Sequence, residues 1–108
     1  MKRGAIVIAG APGEFTTKPR PFLIVQTDAA IAASATISLC PLTSQLTGSD
    51  LIRIAIEPDA ANGLQLRSEV AVDLIVTMRK SRIDKVLGMA SVDVMQKVDA
   101  ALKRWLAL

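Results

Sequence analysis

Arg20 stands between Pro19 and Pro21, directly ahead of the apolar run Phe22-Leu-Ile-Val25. Proline fixes its own φ and pushes the residue before it towards an extended conformation. Arg20 therefore leaves a stiff backbone, and its guanidinium samples fewer directions than one on a loose loop. A cation held this way at the mouth of a buried strand can bind a phosphate or a carboxylate. The same residues also describe a loop arginine whose neighbours happen to be proline. The chain has no histidine. That excludes histidine acid–base catalysis and any serine–histidine or cysteine–histidine pair, and it leaves zinc without an ordinary ligand set. Cys40 is the single cysteine, so no intrachain disulfide can form and no thiolate metal site is expected.

The elements that position Arg20 must fit in 108 residues, enough for one domain spanning 1–108 with one core. Half the residues are hydrophobic, yet there are only two phenylalanines, one tryptophan and no tyrosine, so Ile, Leu, Val and Ala must build that core. A net charge of +3 and a pI near 9.4 suit a polyanionic or acidic partner. No basic block has the length of a nucleic-acid tail. The apolar stretch after Gly4 is short for a signal peptide, and no run approaches transmembrane length. A soluble, cytoplasmic protein is expected.

Ala5 to Ala9, bounded by glycines, reads as a first strand, and Gly10 to Thr17 as a loop. The second strand runs to about Gln26. Ala29 to Ala35 fits either a helical turn or a plain connection. Thr36 to Leu39 alternates as a third strand, and Pro41 predicts that it ends, lies at an edge or bulges there. Leu51 to Glu57 alternates cleanly, and Asn62-Gly63 marks a turn. Glu69 to Thr77 reads as one continuous strand with Asp73 on the face away from the core. Met78 to Ile83 is a basic connection and Val86 to Met89 a short last strand. Ser91 predicts a helix N-cap, and Met95, Val98, Leu102 and Trp105 give the helix one apolar face. Few crossover helices are available, so the sheet is mostly antiparallel, small and bent, with the helix closing it.

Lys2-Arg3-Gly4 before a strand, Lys18-Pro-Arg-Pro-Phe-Leu-Ile-Val-Gln26, Cys40-Pro-Leu-Thr-Ser44 and the final helix from Val92 occur in an order and spacing that resembles the MazF/PemK/Kid toxins of toxin–antitoxin modules. The resemblance covers essentially the whole chain. It implies a mainly β fold, a small SH3-like barrel with a C-terminal helix, which dimerises. It implies a metal-independent, sequence-selective endoribonuclease acting on single-stranded RNA, with no cofactor. It also implies a cognate acidic antitoxin. Arg20 and Thr43 fall on catalytic positions of the family, and Asp73 falls where one branch has an acid proposed as a base. Ala5 stands where the family often has an acid, and Ala71 where some members have an arginine two residues before that acid.

The residue types suit this chemistry. RNA cleavage without metal uses the ribose 2′-hydroxyl as nucleophile, and it needs a base, in-line geometry and charge stabilisation on the phosphorane. Arginine hardly gives up its proton, so Arg20 would stabilise charge through its fork. Thr43 or Ser44 can donate to a phosphate oxygen. Glu14 and Asp73 are the carboxylates considered as base, and Lys18 is a second candidate for phosphate contact. Arg79, Lys80, Arg82 and Lys85 can track an RNA backbone or form a solvated edge. Two other functions compete: a gyrase poison similar to the CcdB toxins, which would use the apolar helix end Trp105-Leu-Ala-Leu108, and a degenerate member that binds without turnover.

Overall fold

A computed structural model of the chain describes residues 1–10 and 18–108, so Glu14 lies outside the described residues. The order is β1 (Ala5–Ala9), β2 (Arg20–Ile24), a one-turn helix α1 (Asp28–Ile31), β3 (Thr36–Thr43), β4 (Arg53–Ile56), β5 (Ser68–Ala71), β6 (Val76–Arg79), β7 (Ile83–Met89) and α2 (Val92–Leu106). Every pairing is antiparallel, in the order β4-β5-β3-β2-β1-β7, with β6 also on β3.

Continuous apolar runs make the central strands because both faces are covered. Ile6 and Leu23 pack towards α2 with Cys40, Val70 and Val98. Their chain neighbours Val7, Phe22 and Ile24 pack on the other face with Ile37, Leu39 and Met78. This is the burial expected of strands without polar alternation. Burial pushes the Cys40 thiol up to about 12, so it behaves as a small core residue.

The sheet bends at β3, which corrects two expectations. Pro41 does not end this strand. It sits between the stretch that pairs with β6, Thr36 to Leu39, and the stretch that pairs with β5, Leu42 to Thr43. A residue without an N–H fits where the strand changes partners. The expected strand from Glu69 to Thr77 is two strands. Val72–Leu74 forms a turn of 3-10 helix between them, so β5 lies on one half of β3 and β6 on the other. The last strand is also longer than expected, beginning at Ile83.

Helix α2 starts as its sequence predicts. The Ser91 side chain accepts from the Val94 N–H at 3.1 Å. Val98 and Ala101 are fully buried, with Val94, Met95 and Leu102 packed beside them. Trp105, at the end of that face, is 47% exposed, and Leu106 and Leu108 beyond it are exposed as well. Arg3 ties the start of the chain to this helix, donating from Nε to the Val25 carbonyl at 2.9 Å and from Nη2 to Asp99 at 2.6 Å. Among the described residues no helix is long and apolar enough to cross a membrane.

Among the described residues no strand ladder joins β4 to β7. Instead the connection after β4 lies against β7, where the Met89 N–H donates to the Ala61 carbonyl at 2.8 Å. Gly88 makes this approach possible. A Cβ there would fall 2.1 Å from the Ala61 oxygen. Asn62, almost fully buried, holds the connection in shape by donating to the Glu57 carbonyl and accepting from the Asp59 and Leu64 N–H groups. Gly63 takes φ +71°, as the Asn-Gly turn requires.

Candidate active site

The two arms of the bent sheet enclose a groove of about 830 Å³. Strand β2 brings Arg20 and Pro21 to it, the end of β3 brings Thr43 and Ser44, β1 brings Ile8, and β7 brings Asp84 and Lys85. Gly63 to Leu66 form its remaining wall. Thus Arg20, Thr43 and Ser44, far apart in sequence, share one surface.

The register explains their placement. Arg20 pairs with Ala9 and Pro21 with Ile8, so β2 enters the sheet at the groove's rim. The Arg20 guanidinium is exposed and has no carboxylate partner among the described residues. Thr43 ends β3 in a side-chain turn, its Oγ1 accepting from the Gln45 N–H at 3.1 Å. A hydroxyl has one donor and two lone pairs, so the Thr43 O–H proton is left to point at a ligand. Lys18 is exposed two residues ahead of Arg20.

Asp73 is elsewhere. It does not line the groove. It sits in the 3-10 turn after β5, 19% exposed, where Arg53 donates to both its oxygens at 2.6 and 3.1 Å. The Arg53 hydrogen bonds hold its carboxyl below the usual aspartate range. A carboxylate so held is a weak base. Arg53 comes from the position directly opposite Ala71 in the β4–β5 ladder.

Glu69, not singled out from the sequence, is 3% exposed and pairs across the ladder with Thr43. Its Oε2 accepts from the Thr47 and Gly48 N–H groups at 3.0 and 2.9 Å, and its Oε1 accepts from the Thr47 hydroxyl at 2.9 Å. Burial works against the charge, but these hydrogen bonds outweigh it and the pKa is lowered. The carboxylate pins the loop that follows Thr43 and Ser44. A second hollow, about 310 Å³, lies where α2 crosses β4. Its Arg104 is committed to the Leu51 carbonyl through two N–H groups.

Over residues 2–106 the chain matches the model of the PemK-like, MazF-like toxins of type II toxin–antitoxin systems. It belongs to this family. It is 37% identical over 108 residues to the probable endoribonuclease MazF of Mycolicibacterium smegmatis (strain ATCC 700084 / mc(2)155), covering 100% of this chain and 98% of that one. Its fold is similar to that of an endoribonuclease in complex with its cognate antitoxin from a mycobacterial species, with a TM-score of 0.83, 24% identity, and 100% and 96% coverage. It is also similar to the Mycobacterium tuberculosis toxin MazF-mt6, with a TM-score of 0.81, 22% identity, and 96% and 97% coverage. A Deinococcus radiodurans MazE–MazF complex aligns with a TM-score of 0.79 at 24% identity. In this PemK/MazF-like chain, the groove gathers two of the three residues that the sequence assigned to catalysis and leaves the third, Asp73, in its pair with Arg53.

Proposed function

We propose that this chain is the toxin of a toxin–antitoxin module and a metal-independent endoribonuclease that cleaves single-stranded RNA at selected short sequences. The observation that carries the reading is the groove that joins Arg20 to the Thr43 and Ser44 hydroxyls. An open cleft of this size admits an unpaired strand, whose bases can splay against Pro21, Pro41 and Leu66. Arg20 places a permanent cation with a planar donor fork where phosphorane charge develops. Thr43 donates its remaining proton to a phosphate oxygen, and Ser44 adds a second hydroxyl. Lys18 and Lys85 attract the backbone on either side.

Attack by the 2′-oxygen on its own phosphate requires no metal if a cation and a base are in place. With no histidine in the chain, the base must be another side chain. The net charge of +3 suits both RNA and an acidic antitoxin segment competing for the same groove. The active form is a homodimer in the cytoplasm. The Arg20 and Thr43 pair in the groove favours this reading over gyrase poisoning.

The test is end-mapped cleavage of a long single-stranded RNA in EDTA. Wild type should cut at a recurring short sequence. Arg20→Ala should lose about 10²–10³ in kcat, the cost of removing one charge-stabilising donor. Thr43→Ala should fall in the same direction. No cleavage by folded wild type would overturn the reading, and a gyrase inhibition assay would then identify a poison.

A further inference from the structure

The reaction needs a base, and neither Asp73, considered from the sequence, nor Glu69 supplies one. Asp73 is tied to Arg53 outside the groove, and Glu69 is buried and spent on Thr47 and Gly48. One described carboxylate does line the groove: Asp84.

Its position is set by an irregularity in the sheet. Ile8 pairs with Lys85, but Ala9 pairs with Ile83. Asp84 is the extra residue of a β-bulge, with no partner of its own on β1. Bulges re-aim a side chain, and they concentrate beside active sites. Arg20 lies on the other side of β1, opposite Ala9, so the bulge and the Pro-Arg-Pro entry flank the same end of the same strand. Asp84 is exposed and makes no ion pair within 4 Å and no hydrogen bond among the described residues, unlike Asp73 and Glu69. Its lone pairs are available.

We propose that Asp84 is the catalytic base of this groove. The assignment rests on the ribonuclease reading. The carboxylate takes the proton of the ribose 2′-hydroxyl as the 2′-oxygen attacks the adjacent phosphorus. The P–O5′ bond breaks, the 5′-oxygen leaves with a proton from water, and a 2′,3′-cyclic phosphate forms. Asp84 then returns its proton to water. Arg20 and Thr43 hold the non-bridging oxygens while this happens.

Among the described residues, the charged groups that line the groove with Asp84 are Arg20 from β2 and Lys85 beside it on β7; the β1 strand and the 63–66 wall carry none. An acid limb in the pH–rate profile therefore reports a carboxylate.

The experiment is single-turnover cleavage of a single-stranded RNA containing a mapped site, from pH 4.5 to 8.5. It compares wild type, Arg20→Ala, Asp84→Asn, Asp73→Asn and Glu14→Gln, each checked for folding by circular dichroism. Asp84→Asn should lose roughly 10²–10⁴ in rate, the usual contribution of a general base, with KM and cut sites unchanged and the acid limb abolished. Asp73→Asn should keep the limb. The assignment is overturned if Asp84→Asn cuts within threefold of wild type with its limb intact. It is also overturned if only the cut sequence changes, or if Glu14→Gln is the variant that removes the limb. A wild type that cuts no RNA overturns the reaction itself, a result distinct from a cutting wild type with an indifferent Asp84→Asn.

Discussion

Glu69→Gln tests the link between the β5 ladder and the loop after Thr43. The amide matches the carboxylate in shape. Its oxygen can still accept from Thr47 N and Gly48 N, but its NH₂ group meets the Thr47 hydroxyl, which must turn to accept. Each bond drops from a charge-assisted value of about 1.5–3 kcal/mol to a neutral one of about 0.5–1.5 kcal/mol. A neutral amide is easier to bury, which offsets part of that loss. The net cost at pH 7 should be about 1–2 kcal/mol, a fall in Tm of roughly 4–10 °C for a domain of this size. The cost should also depend on pH. Folding lowers the Glu69 pKa, so the unfolded chain binds the extra proton. Its contribution is complete above the ordinary glutamate value and is lost as pH falls through the lowered one. Asp73 shifts in the same direction, so only the difference between wild type and variant isolates Glu69. Urea unfolding of both proteins from pH 7 to pH 3 measures it. A difference that stays constant into acid, or a variant as stable as wild type at pH 7, would refute the reasoning.

Arg53→Met should destabilise by about 1–3 kcal/mol by stranding the half-buried Asp73 charge, and adding Asp73→Asn should restore much of that in thermal melts. Gly88→Ala should cost at least about 1–3 kcal/mol in urea unfolding, because the new Cβ meets the Ala61 backbone oxygen at 2.1 Å and the connection must move. Cys40 should resist a thiol reagent in the folded protein at pH 8, its labelling rate following global unfolding. Fast labelling without unfolding would contradict its buried place in the core.

Much of this fold was legible where one residue type had one physical meaning. The run Phe22 to Val25, the Ser91 cap and the Asn62-Gly63 turn each occupy the place their chemistry requires. The alternation from Glu69 to Thr77 misled because it continues through a corner. Glu69 and Ala71 are as buried as Val70 and Val72, so a period of two did not separate inside from outside. Pro41 misled because a central strand can lose a donor where it changes partners. Of the groove residues, Arg20 was singled out by its prolines, and Thr43 and Ser44 by the resemblance of Cys40 to Ser44 to the toxins' strand end. Asp84 was not, since its position depends on a register shift against β1, which leaves no mark on its own neighbours. Glu69 was invisible for a related reason: its partners are two loop N–H groups and a hydroxyl, donors that most loops possess.

The groove draws its lining from Ile8 to Leu87, and its two walls meet only when β7 lies between β1 and the Ala61 connection. A growing chain on the ribosome therefore has no groove until nearly all of it has emerged. Strands β1 to β3 can pair early, but they present Arg20 and Thr43 beside an open edge. For a protein of a toxin family, late assembly has a cellular meaning. A product that stops before β7 carries Arg20 and Thr43 but neither Asp84 nor the groove, so the activity proposed above can begin only with the last strand.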